Sequence, residues 1–290
     1  MHDYLRALGF SGIRNKKEYA VLQNTVIHLP TSESVAEGAG SFAFAERRRD
    51  FLPNAGLAIR GEIDEDGSFT RDYDFPYFNG SVRSFTADVD LEKNAEREEY
   101  SGISEIPELG VSVIFHLNRL SDYMNSLTGS RTISKASVNL SALSTKGKVI
   151  LPVMEDAGDR VERSMETREH NRIINAARNG DPSAYEFLAL EDLDKYTAIS
   201  QRLRNEDILS IVESSFMPYG IETDLYSVIG RIISCREEVN SFSGEKVCLM
   251  GVDINGIPVD LCINRKDLEG EPAPGRRFKG SIWLQGTLDF

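Results

Sequence analysis

The chain has no apolar run approaching the ~20 residues that a membrane-spanning helix needs, so nothing in it points to a helical membrane protein. Cysteine is scarce. Cys235, Cys248 and Cys262 are odd in number and confined to the last quarter, which argues against a disulfide framework and for a reducing cytoplasm. Basic residues are also short, 33 against 46 acidic, giving a formal net charge of −13. That balance disfavours wrapping nucleic acid or adhering to an anionic membrane. The opening Met1-His2-Asp3-Tyr4-Leu5-Arg6 lacks the basic-then-apolar pattern of a signal peptide. The ending Leu288-Asp289-Phe290 is neither a prenylation box nor a retention tag.

Catalytic and cofactor motifs are missing too. There is no G-x-x-x-x-G-K-[ST] and no G-x-G-x-x-G between a strand and a helix. Gly38-Ala39-Gly40 comes nearest and reads as a plain turn. His2, His28, His116 and His170 lie far apart, without the spacing of a zinc ligand set. Asp64-Glu65-Asp66-Gly67 resembles a calcium loop, but its glycine comes too early and Phe75 stands where the final glutamate belongs. No G-x-S-x-G elbow occurs, and the many carboxylates single out no acid–base pair. No cofactor, metal or catalytic residue is expected from these patterns.

What is present is an ordered, two-domain composition. The 290 residues are 40% hydrophobic and 27% charged, an ordinary globular balance. The pattern predicts an α+β fold in three parts: a mixed domain over 1–154 with antiparallel strands, a helical connector over 155–204, and a small antiparallel OB-like β-barrel over 205–290. Short helices are expected at 3–8 and 15–23, separated by Gly9-Phe10-Ser11-Gly12. Leu57–Ile63 and the alternating Phe69, Arg71, Tyr73 and Phe75 read as a hairpin turned at Asp66-Gly67. Further strands are expected at 111–117 and 136–140, followed by Lys146-Gly147 and the run 149–153. Val161, Met165 and Ile173 mark a long helix within the connector. Acidic surplus gathers in 205–225, where Glu206, Asp207, Glu213, Glu222 and Asp224 face no basic residue.

The last quarter is the most explicit. Asn255-Gly256 is a strong two-residue hairpin signal. With those residues as the loop, Ile254 pairs with Ile257, Val252 with Val259, Met250 with Leu261 and Cys248 with Ile263, an entirely apolar face. The other face pairs Asp253 with Pro258, Gly251 with Asp260 and Leu249 with Cys262, which puts the two cysteines on opposite sides. A strand over Tyr226–Cys235 precedes this hairpin. In the final strand Phe278, Ile282, Leu284, Leu288 and Phe290 share one face, and Gly280 and Gly286 mark bends or bulges.

The opposite face of that strand carries Arg277, Lys279, Trp283 and Gln285, with Arg276 just before them. A cationic groove with an aromatic platform is one way a barrel holds an anionic ligand. Packing of Trp283 against the connector, with the basic groups paired to acids such as Glu269 and Glu271, is the competing reading. Phe216-Met217-Pro218-Tyr219-Gly220 reads as a hinge, an interface or a packing corner before the barrel.

Three segments carry a resemblance. They are Tyr4–Phe10, the stretch Glu206–Val212 leading to Phe216–Gly220, and the ending Gly275–Gly286. Together they resemble an uncharacterised clostridial bacterial family known as domain of unknown function 3881. The resemblance implies a full-length soluble bacterial protein and carries over no catalytic residue. The leading expectation is a non-enzymatic cytoplasmic binding or regulatory module for an unknown protein or an anionic ligand, without a membrane or nucleic-acid role. A hydrolase acting on a small or phosphorylated substrate is the alternative, and single-stranded nucleic-acid binding through the barrel is the third reading.

Overall fold

The computed structural model describes residues 2–37, 43–93, 99–106, 111–120, 123, 132–152, 212–220 and 223–289. Its contacts divide the chain into two compact units, one of residues 1–150 with 214–290 and one of 151–213. The expected connector helix and the Gly38-Ala39-Gly40 turn lie outside the described residues. Both sheets belong to the first unit.

A sheet-dominated protein replaces the expected α+β balance. Helical structure among the described residues is limited to α1 (Lys16–His28), 3-10 turns at Asp3–Leu8 and Arg265–Asp267, and the helical positions Leu120 and Tyr123. Asn15 caps α1 by accepting from the amides of Lys17 and Glu18 at 3.0 and 2.9 Å, and Glu18 reaches back to the Arg14 amide at 2.8 Å. At the other end the Ile27 carbonyl accepts from Arg47 at 3.2 Å, and Arg49 donates to the Leu29 carbonyl.

The first sheet is an antiparallel meander of β1 (Ser32–Glu37), β2 (Ala43–Leu52), β3 (Ala55–Ile63) and β4 (Phe69–Phe78). The β3–β4 turn falls at Asp66-Gly67 as expected, with Gly67 at φ 83° and its amide donating to Asp64 O at 2.9 Å.

The second sheet has ten strands: β5 (Phe85–Lys93), β6 (Tyr100–Ile106), β7 (Val111–Leu117), β8 (Thr132–Ile150), β9 (Ser215–Pro218), β10 (Leu225–Val239), β11 (Lys246–Ile254), β12 (Ile257–Asn264), β13 (Leu268–Glu269) and β14 (Arg277–Asp289). Its ladders close two rings. One runs β8–β14–β10–β11–β12 and returns to β8 through the parallel pairs Asp260↔Ser141 to Ile263↔Ser144. The other runs β8–β5–β6–β7 and closes through β14, parallel to β7 at Gln285↔His116 and Gly286↔Leu117. The long β8–β14 ribbon belongs to both rings.

The expected small OB-like barrel over 205–290 is therefore corrected. The C-terminal strands close only by including β8, a strand from the first half of the chain. Lys146-Gly147 lies inside β8, opposite Ser281 and Gly280 of β14. Glycine is needed there because the Phe278 ring fills the space, and a Cβ would stand 2.3 Å from Phe278 Cε2. Gly286 does the same beneath Phe115, at 2.5 Å.

The Asn255-Gly256 hairpin has the expected register in every pair, with φ 53° and 85° at its two loop residues. Phe278, Ile282, Leu284 and Leu288 join Cys248, Met250 and Leu261 in the core within the second sheet. Each fully buried side chain of this kind contributes roughly 1.5–3 kcal/mol. Leu249, Cys262, Leu143 and Trp283 face outward from that core, yet they are buried as well. They pack with Leu5, Leu8 and the first sheet in a second core. Of the Phe216–Gly220 stretch, Phe216 stacks on Tyr226 at 4.2 Å, while Met217 and Tyr219 are exposed.

Candidate functional site

The residues expected to form one solvent-facing site on the final strand are divided by burial. Lys279 is exposed and Arg276 half-buried, its Nη1 donating to the Glu271 carbonyl at 2.6 Å. Arg277 is buried opposite Ile150 and Arg231. Trp283 is only 3% exposed. Its indole stacks on His2 at 4.4 Å, has His116 at 5.0 Å, and donates to Asp224 Oδ2 at 2.6 Å. The acids named as partners for the basic face bind other cations: Glu269 lies 3.7 Å from Lys148, and Glu271 pairs with Arg265.

Gln285 is fully buried and organises its neighbours. Its Oε1 accepts from the Phe78 amide and its Nε2 donates to the Pro76 carbonyl, both at 2.9 Å. Asn118 adds bonds to Phe78 O at 3.0 Å and Asn79 Oδ1 at 3.3 Å, and Ser141 Oγ also donates to Phe78 O. Backbone groups at the end of a sheet would otherwise be buried unpaired, so these amides and the hydroxyl fix the end of β4 in place.

Against that fixed end lies a cleft of about 180 Å³ along the seam between the two sheets. Asn54, Phe78, Asn79 and Ser81 form one wall; Ser234 to Arg236, Leu249 to Gly251 and Asp260 form the other. The walls are joined at one edge, where Asp260 Oδ2 accepts from both the amide and the hydroxyl of Ser81, at 2.6 and 2.8 Å. Gly251 brings no side chain to the lining, and the Ser234 hydroxyl packs where its Cβ would stand. A Cβ there would meet Ser234 Oγ at 2.8 Å and come within 4.0 Å of Asp260 Oδ1. The lining combines amide, hydroxyl and carboxylate groups with the apolar flanks of Phe78 and Leu249, the mixture that orients a small polar molecule.

Behind this seam is a second polar group that sequence reasoning missed. Glu46 bridges two arginines: Oε1 lies 2.6 Å from Arg48 Nε and Oε2 lies 2.7 Å from Arg60 Nε, all three side chains being buried. Burial raises the Glu46 pKa, but the two guanidinium groups outweigh it and hold the carboxyl at about 2. Arg60 lies 4.5 Å over Phe75 and donates to Leu117 O at 2.9 Å, one residue before Asn118. His116 Nδ1 lies 3.1 Å from Glu99 Oε1, and burial lowers the imidazole pKa despite that bond. Two sequence signals were available: Glu46 and Arg48 alternate with Phe44 on one strand face, and Arg60 continues the apolar run Leu57–Ile59.

Among the described residues no group of three or more histidine, cysteine or acidic side chains is placed to hold a metal ion. The thiols of Cys248 and Cys262 are both raised by burial, the former to about 11, which keeps them protonated and inert. No described helix is long and apolar enough to cross a membrane.

These features define a mostly-β protein with fused sheet rings and a small polar cleft at the seam of its two sheets. The chain belongs to the family described as a domain of unknown function, E. rectale gene description (DUF3881), whose family model matches residues 5–286. No curated protein and no solved structure matches it.

Proposed function

We propose that the chain is a binding protein whose seam cleft takes a small polar molecule. The observation that carries this reading is the built geometry of the cleft. Asp260 is held by Ser81, Phe78 and Asn79 are held by Gln285 and Asn118, and Gly251 brings no side chain of its own to the lining. Fixed walls reduce the ordering cost of binding. At ~30 Å³ per water the cleft holds roughly six waters, a volume suited to a small metabolite. Asp260 Oδ1 offers an acceptor near the floor, so the favoured ligand carries a hydroxyl or amine donor.

Within this reading Gln285 acts by positioning Phe78, and Trp283 acts as packing, with the His2 and His116 rings against its indole. The hydrolase alternative has a single carboxylate to work with among the described lining residues, Asp260. Ligand-observed NMR with a panel of small polyols, amines and amino acids tests the proposal. Saturation transfer to panel members is expected for the wild-type chain and is expected to vanish in Gly251→Val, whose side chain enters the cleft. No transfer to any member, or transfer that persists in the variant, overturns it.

A further inference from the structure

Donors and acceptors occupy separate places in the cleft lining. Strand register sets Ser234, Gly251 and Asp260 in one row across β10, β11 and β12. Arg236 and Leu249 form the next row on the same face, two residues along. Arg236 and Asp260 therefore stand diagonally across β11, their Cα atoms roughly 12 Å apart for ~4.8 Å between strands and ~3.4 Å per residue. They are the two charged side chains among the described lining residues, one cation and one anion.

Each keeps polar atoms uncommitted. Asp260 spends Oδ2 on Ser81, and its Oδ1 makes no hydrogen bond among the described residues. The Arg236 side chain is 61% exposed and pairs through Nε alone, 3.3 Å from Glu238, which is not among the described lining residues. The terminal edge of Arg236, Nη1 and Nη2, has no partner among the described residues. On the facing wall Asn79 Oδ1 accepts from Asn118 at 3.3 Å, so the group Asn79 has left to offer is its Nδ2 donor.

We infer that the ligand of the cleft is a small zwitterionic amino acid, its ammonium on Asp260 Oδ1 and its carboxylate on Arg236 and Asn79. This ligand class presupposes the binding role proposed for the cleft and deepens it. A simple amine answers Asp260 and leaves both donors to water. A simple acid answers the donors but brings a like charge to Asp260. An amino acid meets both, with a charge-assisted hydrogen bond at either end. Glu238 stays on Nε, because the planar guanidinium can serve a second carboxylate from its terminal edge.

NMR titration of the full chain with three matched sets tests this. Alanine, serine and γ-aminobutyrate are the amino acids; ethylamine, ethanolamine and propylamine lack the carboxylate; propionate, 3-hydroxypropionate and butyrate lack the ammonium. At least one amino acid is expected to bind at least about tenfold tighter than its matched amine and acid, the loss of one bond to a charged group. Arg236→Gln removes the cation at a largely exposed position. Asn79→Asp keeps the oxygen that Asn118 uses and replaces the donor with a carboxylate oxygen. Each variant is expected to weaken the amino acid at least about fivefold more than it weakens the matched amine. An amine, acid or polyol that binds as tightly as every amino acid overturns the zwitterion and leaves the cleft as a binding site. A preference for the amino acid that survives both variants does the same. No binding by any compound overturns both the ligand class and the binding role. The matched sets are compared on wild type, so a variant that fails to fold leaves the test decisive.

Discussion

Ser81 gives both its amide and its hydroxyl proton to a single oxygen of Asp260, 179 residues further along the chain. This pair ties the segment after β4 to β12 and so joins the two walls of the seam cleft. Asp260→Ala removes the shared acceptor and is expected to cost about 1–3 kcal/mol, since charged acceptors contribute more than neutral ones. Urea unfolding measures the loss. Hydrogen exchange at the Ser81 amide is expected to accelerate by more than the global change accounts for, because the segment is released locally.

Gln285→Ala leaves the Phe78 amide and the Pro76 carbonyl buried without a side-chain partner. The expected destabilisation is about 2–6 kcal/mol, from two unsatisfied backbone groups at ~1–3 kcal/mol each. Chemical denaturation checks it, and a loss below about 0.5 kcal/mol, the size of an ordinary surface substitution, contradicts the positioning role.

Glu46 makes stability depend on acid. Its folded pKa is about 2 against an ordinary 4.5, so its contribution is fully present above pH 4.5 and is lost as pH falls toward 2. The shift corresponds to about 3 kcal/mol. Unfolding free energy measured between pH 5.5 and 2.5 is expected to fall across this window, and Glu46→Gln is expected to flatten that part of the curve. Because the variant also leaves two buried guanidinium groups without their carboxylate, it is expected to start about 3–5 kcal/mol less stable.

Thiol labelling distinguishes the three cysteines. Cys235 is half-buried beside the cleft, whereas Cys248 and Cys262 are enclosed. A thiol reagent is expected to modify Cys235 first in the native protein and the other two only on unfolding. A cleft ligand is expected to slow the Cys235 reaction.

The lone tryptophan reports on its own placement. Trp283 fluorescence is expected to be blue-shifted and poorly quenched by acrylamide until the chain unfolds. Native quenching equal to that of an exposed indole contradicts the packing of Trp283 against His2 and His116.

What could be read from the sequence was local. Asn255-Gly256 carries its own turn chemistry, and the apolar pairs around it leave one register that segregates faces. Asp66-Gly67 is legible for the same reason. Alternation shows which residues share a face and does not show what covers that face. The Arg277/Lys279/Trp283/Gln285 side of β14 therefore looked like a polar surface, although the N-terminal segment and the first sheet bury much of it. Gly147 in the middle of β8 serves a facing aromatic ring, here Phe278, a role that strand alternation alone does not reveal. The cleft itself draws on Asn54, Phe78, Ser234, Gly251 and Asp260, which only sheet closure brings together.

The most direct test of the binding role is a ¹H–¹⁵N NMR titration of the labelled chain with a panel member that gives saturation transfer. The expected result is saturable shift changes concentrated at Asn79, Ser81, Ser234, Gly251 and Asp260. Changes centred elsewhere, or none at saturating ligand, contradict it.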